Sequence, residues 1–354
     1  MGSVATNAGF GREPQGKMVH SMSLRLSVLD QSPISQGMTV GDALRNTVDL
    51  ARLVDGLGFT RYWLAEHHGT VMLAGTSPEI VIGPVAAATA RIRVGSGGVM
   101  LPHYSPLKVA ETFSLLNALH PERIDLAVGR AAGTDPMTAF ALQRDRRTAA
   151  PDDFPQQLVE LLCYVRDGFP AGHQFARLRP SPLPDHSGPQ PWLLGSSPQS
   201  GIWAAELGLP YAFADFIYPG GAAVARHYRQ HFIPCAAQKS PYVIVAAWAL
   251  CADTDGEAKQ LAASSRMGFA HFLAGTPITV PPVETALQFL EQHPDSLAAV
   301  AKRRRAIIGT PSRVREELEA LAAEYEADEI MVVTITYDHQ ARRRSYELLA
   351  QAFL

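Results

Sequence analysis

The sequence predicts an α/β fold, a (β/α)8 TIM barrel, on three observations. From Leu24 onward, β-rich runs alternate with segments of helical apolar spacing, as a parallel sheet with crossover helices requires. Eight such runs can be counted, each followed by a helix or a long excursion. The competing doubly wound sheet usually advertises a G-x-G-x-x-G turn after an early strand, and the nearest candidate, Gly95-Ser96-Gly97-Gly98, lacks that spacing. With 354 residues, 47% of them hydrophobic and 18% charged, the chain could form one large domain or two ordinary ones. The barrel pattern assigns 23–354 to a single domain and leaves 1–22, rich in Gly and polar residues, as a flexible N-terminal extension.

The first strand is Leu24 to Asp30. Its helix, Thr39 to Leu57, carries Ala43, Val48, Ala51, Val54 and Leu57 at helical spacing and stops at Gly58. The second strand, Arg61 to Glu66, precedes a helix opening at Ser77-Pro78-Glu79, with Ser as cap, Pro in the first turn and Glu at the positive end of the dipole. Ile92 to Val99 is the third strand, Pro106 to Leu119 its helix, and Ile124 to Val128 the fourth strand. A helix over 156–165 leads into an interrupted, Pro-rich stretch at 179–191. Trp192 to Leu194 is the fifth strand, followed by a helix over 200–207, and Tyr211 to Ala214 is the sixth. The seventh, Tyr242 to Cys251, is the longest. An excursion separates it from the eighth, Glu329 to Thr336: a helix at 257–273, an irregular segment at 275–282, helix ending in the basic cluster Lys302 to Arg305, and a capped helix from Thr310-Pro311-Ser312 to Tyr325. The final helix is Gln340 to Ala352. The cluster at 302–305 reads as a solvated helix face, and 275–305 as a candidate lid.

Charge excludes some functions. Lys and Arg number 31 against 34 Asp and Glu, a formal net charge of -3, so the footprint of a nucleic-acid or anionic-membrane binder is missing. No apolar run reaches the roughly 18 residues of a membrane span. Cys163, Cys235 and Cys251 are too scattered for a disulfide framework or a zinc knuckle, and the first 21 residues lack an apolar signal region. A reduced, cytoplasmic location is expected.

In a barrel, chemistry gathers at the carboxyl ends of the strands, and here those ends are small and polar. The loop Gly195-Ser196-Ser197-Pro198-Gln199-Ser200 enters a helix N-terminus and, with Arg130, could hold an anion. Equally, Ser197 and Ser200 could cap that helix while Arg130 makes a surface pair. In Glu66-His67-His68, adjacent strand histidines point in opposite directions and no third ligand follows at helical spacing, so no metal site is expected. A histidine titrating near neutrality suits proton transfer, and His67 is the candidate; for His68, orientation by Glu66 is the favoured role. Gly97-Gly98 interrupts a strand either because a flat ligand meets the backbone or because the inner barrel layer is tight.

Taken in order along the chain, these stretches resemble the bacterial luciferase-like, flavin-dependent monooxygenase family. They are Trp63-Leu64-Ala65-Glu66-His67-His68, Val94-Gly95-Ser96-Gly97-Gly98-Val99-Met100, Gly129-Arg130-Ala131-Ala132-Gly133-Thr134-Asp135, Gly195-Ser196-Ser197-Pro198-Gln199-Ser200-Gly201 and Asp328-Glu329-Ile330-Met331-Val332. The resemblance implies a (β/α)8 barrel that binds FMN in its reduced form (FMNH2), with O2 as co-substrate. It implies that Arg130, Ser197 and Ser200 hold the phosphate, assisted by Ser196 and the backbone of Ala132. It also places Ser96, Gly97 and Gly98 along the isoalloxazine ring, with a cis peptide between the glycines, and makes His67 catalytic. Luciferases carry a cysteine where this chain has Gly129, a departure that speaks against light emission and an aldehyde substrate. The expected function is oxygenation of a hydrophobic organic substrate, in secondary metabolism, by a homodimer supplied with flavin by a separate NAD(P)H:flavin reductase. A deazaflavin-dependent oxidoreductase of the same fold and a noncatalytic flavin-binding protein are the alternatives.

Overall fold

The computed structural model describes residues 24–130, 135–143, 145–148, 152–178 and 188–354. Its strands are β1 (Arg25–Asp30), β2 (Arg61–Leu64), β3 (Arg93–Met100), β4 (Ile124–Gly129), β5 (Gln190–Gly195), β6 (Tyr211–Ala214), β7 (Val243–Cys251), β8 (Ala306–Gly309) and β9 (Glu329–Val333). All pair in parallel, and β1 to β7 with β9 close into an eight-stranded barrel, because β9 pairs with both β7 and β1. The helices are α1 (Val40–Leu57), α2 (Pro78–Ala88), α3 (Pro106–Leu119), α4 (Pro136–Leu142), α5 (Phe154–Leu162), α6 (Pro198–Glu206), α7 (Ala222–His231), α8 (Asp255–Leu273), α9 (Val283–Gln292), α10 (Pro294–Arg303), α11 (Pro311–Tyr325) and α12 (His339–Phe353). Among the described residues no helix is long and apolar enough to cross a membrane.

Strand alternation builds two cores. On β7, Val243, Val245, Ala247 and Ala249 pack with the outer helices, while Ile244, Ala246 and Trp248 point into the barrel beside Trp63, Trp192 and Met331. The helix boundaries follow local chemistry. At α1, the Thr39 hydroxyl accepts from Asp42 N (3.1 Å), and the Asp42 carboxylate accepts from Thr39 N (2.9 Å). Gly58 closes the same helix at φ 91°, a left-handed conformation that costs glycine little.

Several expectations need correction. The chain has a ninth strand: β8 extends the sheet along the distal half of β7, from Trp248↔Ala306 to Cys251↔Gly309, beyond the point where β6 stops pairing at Ala246. The expected eighth strand is therefore β9. Helix α7 follows β6, and the helical part of the excursion is split into α9 and α10 before His293-Pro294. Ser77 and Thr310 occupy N-cap positions but make no side-chain cap hydrogen bond. Lys302 and Arg303 are exposed as a solvated face requires, but Arg304, past the end of α10, is turned inward. The N-terminal extension and most of the Pro-rich stretch lie outside the described residues.

The first inward layer is a buried charge network. Arg61 of β2 donates from Nη1 to Asp125 Oδ2 of β4 (2.9 Å) and from Nε to Glu329 Oε2 of β9 (3.2 Å). Arg93 Nη2 (2.6 Å) and Trp63 Nε1 (2.9 Å) also donate to the Asp125 carboxylate, while Ser27 and Tyr242 donate to Glu329. Both carboxylates are fully buried. Removing one partner strands the others in a low-dielectric interior, so Asp125→Ala is expected to destabilise the fold by about 3–5 kcal/mol. Urea unfolding measures this, and a loss below about 1 kcal/mol, the range of an exposed pair, would contradict it.

Candidate active site

Above this floor a chamber opens at the carboxyl ends of the strands, with about 790 Å3 of empty space continuous with solvent. Trp63 and Leu29 form its base, Gly97 and Met100 one wall, and Arg130 and Ser196 line it from the ends of β4 and β5.

The Gly97-Gly98 peptide is cis. A Cβ on Gly97 would lie 2.5 Å from Leu29 Cδ1 and 2.9 Å from Trp63 Cβ; one on Gly98 would lie 2.7 Å from the Ala127 carbonyl oxygen. The inner layer is therefore tight enough to demand glycine at both positions, and Gly97 also faces the chamber. At Gly129 a Cβ would come within 2.9 Å of Leu194 Cδ1, so a cysteine there would require Leu194 to move. Ser96 is not brought to the chamber. It is buried, and its hydroxyl donates to the Ala127 carbonyl (2.8 Å).

Glu66 is a buried carboxylate at the end of β2. It accepts from Met100 N (2.9 Å) and Tyr104 OH (3.0 Å), tying this turn to β3 and the chain beyond it, and it bonds His68 Nε2 at 2.8 Å. His68 is thus the histidine that Glu66 orients. The His67 backbone N–H donates to the Gly75 carbonyl (2.8 Å), its side chain lines the chamber, and its Nδ1 is sealed from solvent with no hydrogen-bond partner. Burial, with a smaller push from His68, lowers its pKa to about 4. The expectation of a ring titrating near neutrality is corrected: His67 is a neutral imidazole at pH 7, with its buried Nδ1 left without a hydrogen-bond partner.

At the anion end, the structure separates the candidates. Ser197 is the N-cap of α6 and accepts from Ser200 N (3.4 Å); the Ser200 hydroxyl donates to the Ser197 carbonyl (2.7 Å) and shares a hydrogen bond with Tyr211 OH (2.9 Å). Both hydroxyls are engaged in building the turn. Arg130 lies 4.0 Å from Asp152, an exposed and therefore weak pair, with its guanidinium 5.7 Å from the Trp203 ring. Arg130, Ser196 and the α6 N-terminus are what this end presents to a ligand. Ala132 lies outside the described residues. Among the described residues no cluster of three or more His, Cys, Asp or Glu is placed to hold a metal ion.

Sequence reasoning missed Phe216, which follows β6 and lines the chamber, and Trp63, which reads as an ordinary core aromatic. Trp63 could have been found from its place four residues before His67, on the inward face of β2. Phe216 carries no comparable signal.

Residues 23–328 match the family model described as luciferase-like monooxygenase. The chain is 40% identical over 328 residues to a luciferase-like monooxygenase of Escherichia coli (strain K12), spanning 92% of this chain and 96% of that one. It is 38% identical over 334 residues to N-acetyl-S-alkylcysteine monooxygenase of Bacillus subtilis (strain 168), spanning 94% and 98%. Among solved structures, that of apo-MsnO8 superposes with a TM-score of 0.85 at 40% identity, covering 93% of this chain and 98% of that chain.

The depressed His67 pKa has a consequence for folding. Between about pH 6.5, where an unfolded histidine titrates, and about pH 4, the folded chain binds fewer protons than the unfolded one. Stability is therefore fully present above that window and is lost as the pH falls through it. His67→Gln is expected to lose less stability than the wild type on acidification over this range, as read by urea unfolding at several pH values. Parallel losses in the two proteins would show that the ring is not sealed.

Proposed function

The chain belongs to the luciferase-like monooxygenase family, and on that premise we propose that it is a flavin-dependent monooxygenase that uses reduced FMN and O2 to oxygenate a hydrophobic organic substrate. The supporting observation is the chamber itself: apolar walls, a neutral histidine with an unpartnered nitrogen, and a cationic end beside a helix N-terminus.

These residues fit the cofactor. Arg130, Ser196 and the first turn of α6 would hold the phosphate, with Ser197 and Ser200 fixing the shape of that turn and the backbone at Ala132 assisting. Gly97 and Gly98 would form the wall along the ring system, with Ser96 fixing their strand to β4 rather than touching it. Reduced FMN supplies two electrons, so that one atom of O2 enters the substrate and the other leaves as water.

The chain's own residues do the rest. Trp63, Leu194 and Phe216 keep the reacting end dry, which strengthens every polar contact made there. His67 would hold or take a proton; in its neutral resting form it adds no second positive charge near Arg130, and it would become cationic only while it carries the added proton. Glu66 positions the turn that carries His67 by anchoring it to Met100 N and Tyr104 OH. The same proposal has a separate NAD(P)H:flavin reductase supply the reduced flavin to a cytoplasmic homodimer. One relative is named for N-acetyl-S-alkylcysteine, which makes a thioether a reasonable first substrate to try.

Titration with FMN, reduced FMN and a deazaflavin tests the cofactor, and binding of the deazaflavin alone would overturn the proposal. Arg130→Ala is expected to weaken FMN by about 10–100-fold while leaving riboflavin, which lacks the phosphate, unchanged. In turnover with a flavin reductase and NADH, His67→Ala should lower oxygenated product by about 100-fold or more with FMN affinity preserved. Undiminished product would remove His67 from the chemistry.

A further inference from the structure

A second chamber, of about 730 Å3, opens at the same end of the barrel beneath the helices that follow β7. Trp248 and Leu250 of β7, Ile308 of β8, Ser265 and Arg266 of α8, and Arg304 just past α10 line it. The Arg304 guanidinium carbon lies 4.2 Å from the Trp248 ring centroid and 3.4 Å from that of Phe269, so the group is held between two aromatic faces. Its Nε is sealed from solvent and unpartnered, as is Trp248 Nε1.

Among the described residues the chamber has no counter-charge: no Asp or Glu lines it, and neither Arg304 nor Arg266 forms an ion pair. Burial lowers the pKa of both, that of Arg304 to about 9, because nothing anionic offsets the lost water. Among the described residues, the arginines buried as deeply as Arg304 are compensated: Arg61 by Asp125 and Glu329, Arg342 by Asp30 at 2.7 Å. Buried charges in proteins are normally paired. Two uncompensated guanidiniums in one chamber therefore mark a place whose anion comes from outside. The Trp248 ring that lines this chamber packs edge-to-face, 6.5 Å between centroids, against the Phe216 ring that lines the first, so that these two rings stand between the chambers.

We propose that this second chamber is a carboxylate-binding subsite, and that the substrate is an amphipathic organic acid whose carboxylate pairs with Arg304 and Arg266 while its apolar body passes over Trp248 toward Phe216. The identity of the ligand as substrate rests on the monooxygenase reading; the binding of an organic carboxylate does not. A carboxylate suits the donors better than a phosphate. Stacking leaves only the edge of the Arg304 fork for planar, bidentate contact, and the walls are apolar with no serine-rich helix entry of the kind found beside Arg130.

The experiment is calorimetric titration of the flavin-free protein with 3-phenylpropanoate and with 3-phenylpropanamide, which share a body and differ in charge. The acid is expected to bind about tenfold or more tightly than the amide, with an affinity that falls as NaCl is added. Arg304→Gln and Arg266→Gln should each remove most of that preference, leaving amide and FMN affinity unchanged, and Arg304→Lys should restore part of it. Equal binding of acid and amide to the wild type, or an acid preference untouched in both Gln variants, would overturn the subsite. Should Arg304→Gln fail to fold, the wild-type ratio and the half-buried Arg266 decide the matter. An acid preference in a protein that fails to bind reduced FMN would leave the subsite standing and defeat the monooxygenase reading. Turnover of neutral substrates without an acid preference would do the reverse.

Discussion

The inside of this barrel depends on one shared carboxylate. Burial alone would push the Asp125 pKa up, but Arg61 and Arg93 beside it more than offset that and hold it below the ordinary range, so it remains an acceptor throughout. Through it β2, β3 and β4 are joined at their amino ends, and Arg61 carries the link across the barrel to Glu329 on β9. Trp63 donates to the same carboxylate, which fixes an indole two residues further along the inward face of β2. That indole is the base of the chamber and the surface against which Gly97 is packed. A charged floor, an aromatic second layer and an empty third layer are thus consecutive consequences of the alternation of β2 from Arg61 to Trp63 to Ala65.

The chamber exists because β3 gives up its side chains just where β2 presents its largest. Gly97 sits against Leu29 and Trp63, Gly98 against the Ala127 carbonyl, and Gly129 of β4 against Leu194. Any Cβ at these positions would meet protein atoms, so the glycines are required by packing, and the void above them follows from it. The two explanations for paired glycines in a strand are not rivals here, since the tight layer is what presents a side-chain-free wall.

Regular spacing made most of the barrel legible in the sequence. Pro106 to Leu119 and Tyr211 to Ala214 match the structure residue for residue, because each is bounded by strong punctuation. β8 was hidden because four residues following a basic helix end carry no period, and α7 because only Ala222, Ala225 and Tyr228 mark its buried face. At the site, strand-end position was enough to place His67, Gly97, Arg130 and Ser196 together. It could not show which hydroxyls are consumed within the fold. Ser96 bonds a neighbouring strand, and Ser197 with Ser200 closes a helix, outcomes decided by which face each residue takes. Nor could a tetrad of basic residues reveal that α10 ends after its second member, which turns Arg304 inward while Lys302 and Arg303 stay in water.

Of the buried nitrogens without partners at this end of the barrel, those of His67 and Arg304 belong to groups whose chemistry forces different outcomes. His67 escapes the cost of burial by giving up its proton, so at pH 7 its chamber stays neutral at that wall. Arg304 has no such escape: even lowered to about 9, its pKa leaves the guanidinium charged at neutral pH. The aromatic faces of Trp248 and Phe269 soften that burial but cannot supply a negative charge. On the proposed function, the neutral His67 ring would serve the first chamber as its proton-handling group, and on the proposed subsite the charged Arg304 would anchor an anion in the second. A ligand of the proposed kind, reaching across the Trp248 and Phe216 rings, would be divided between a reacting end and an anchoring end, so that binding energy gained at the arginines could position atoms held near His67.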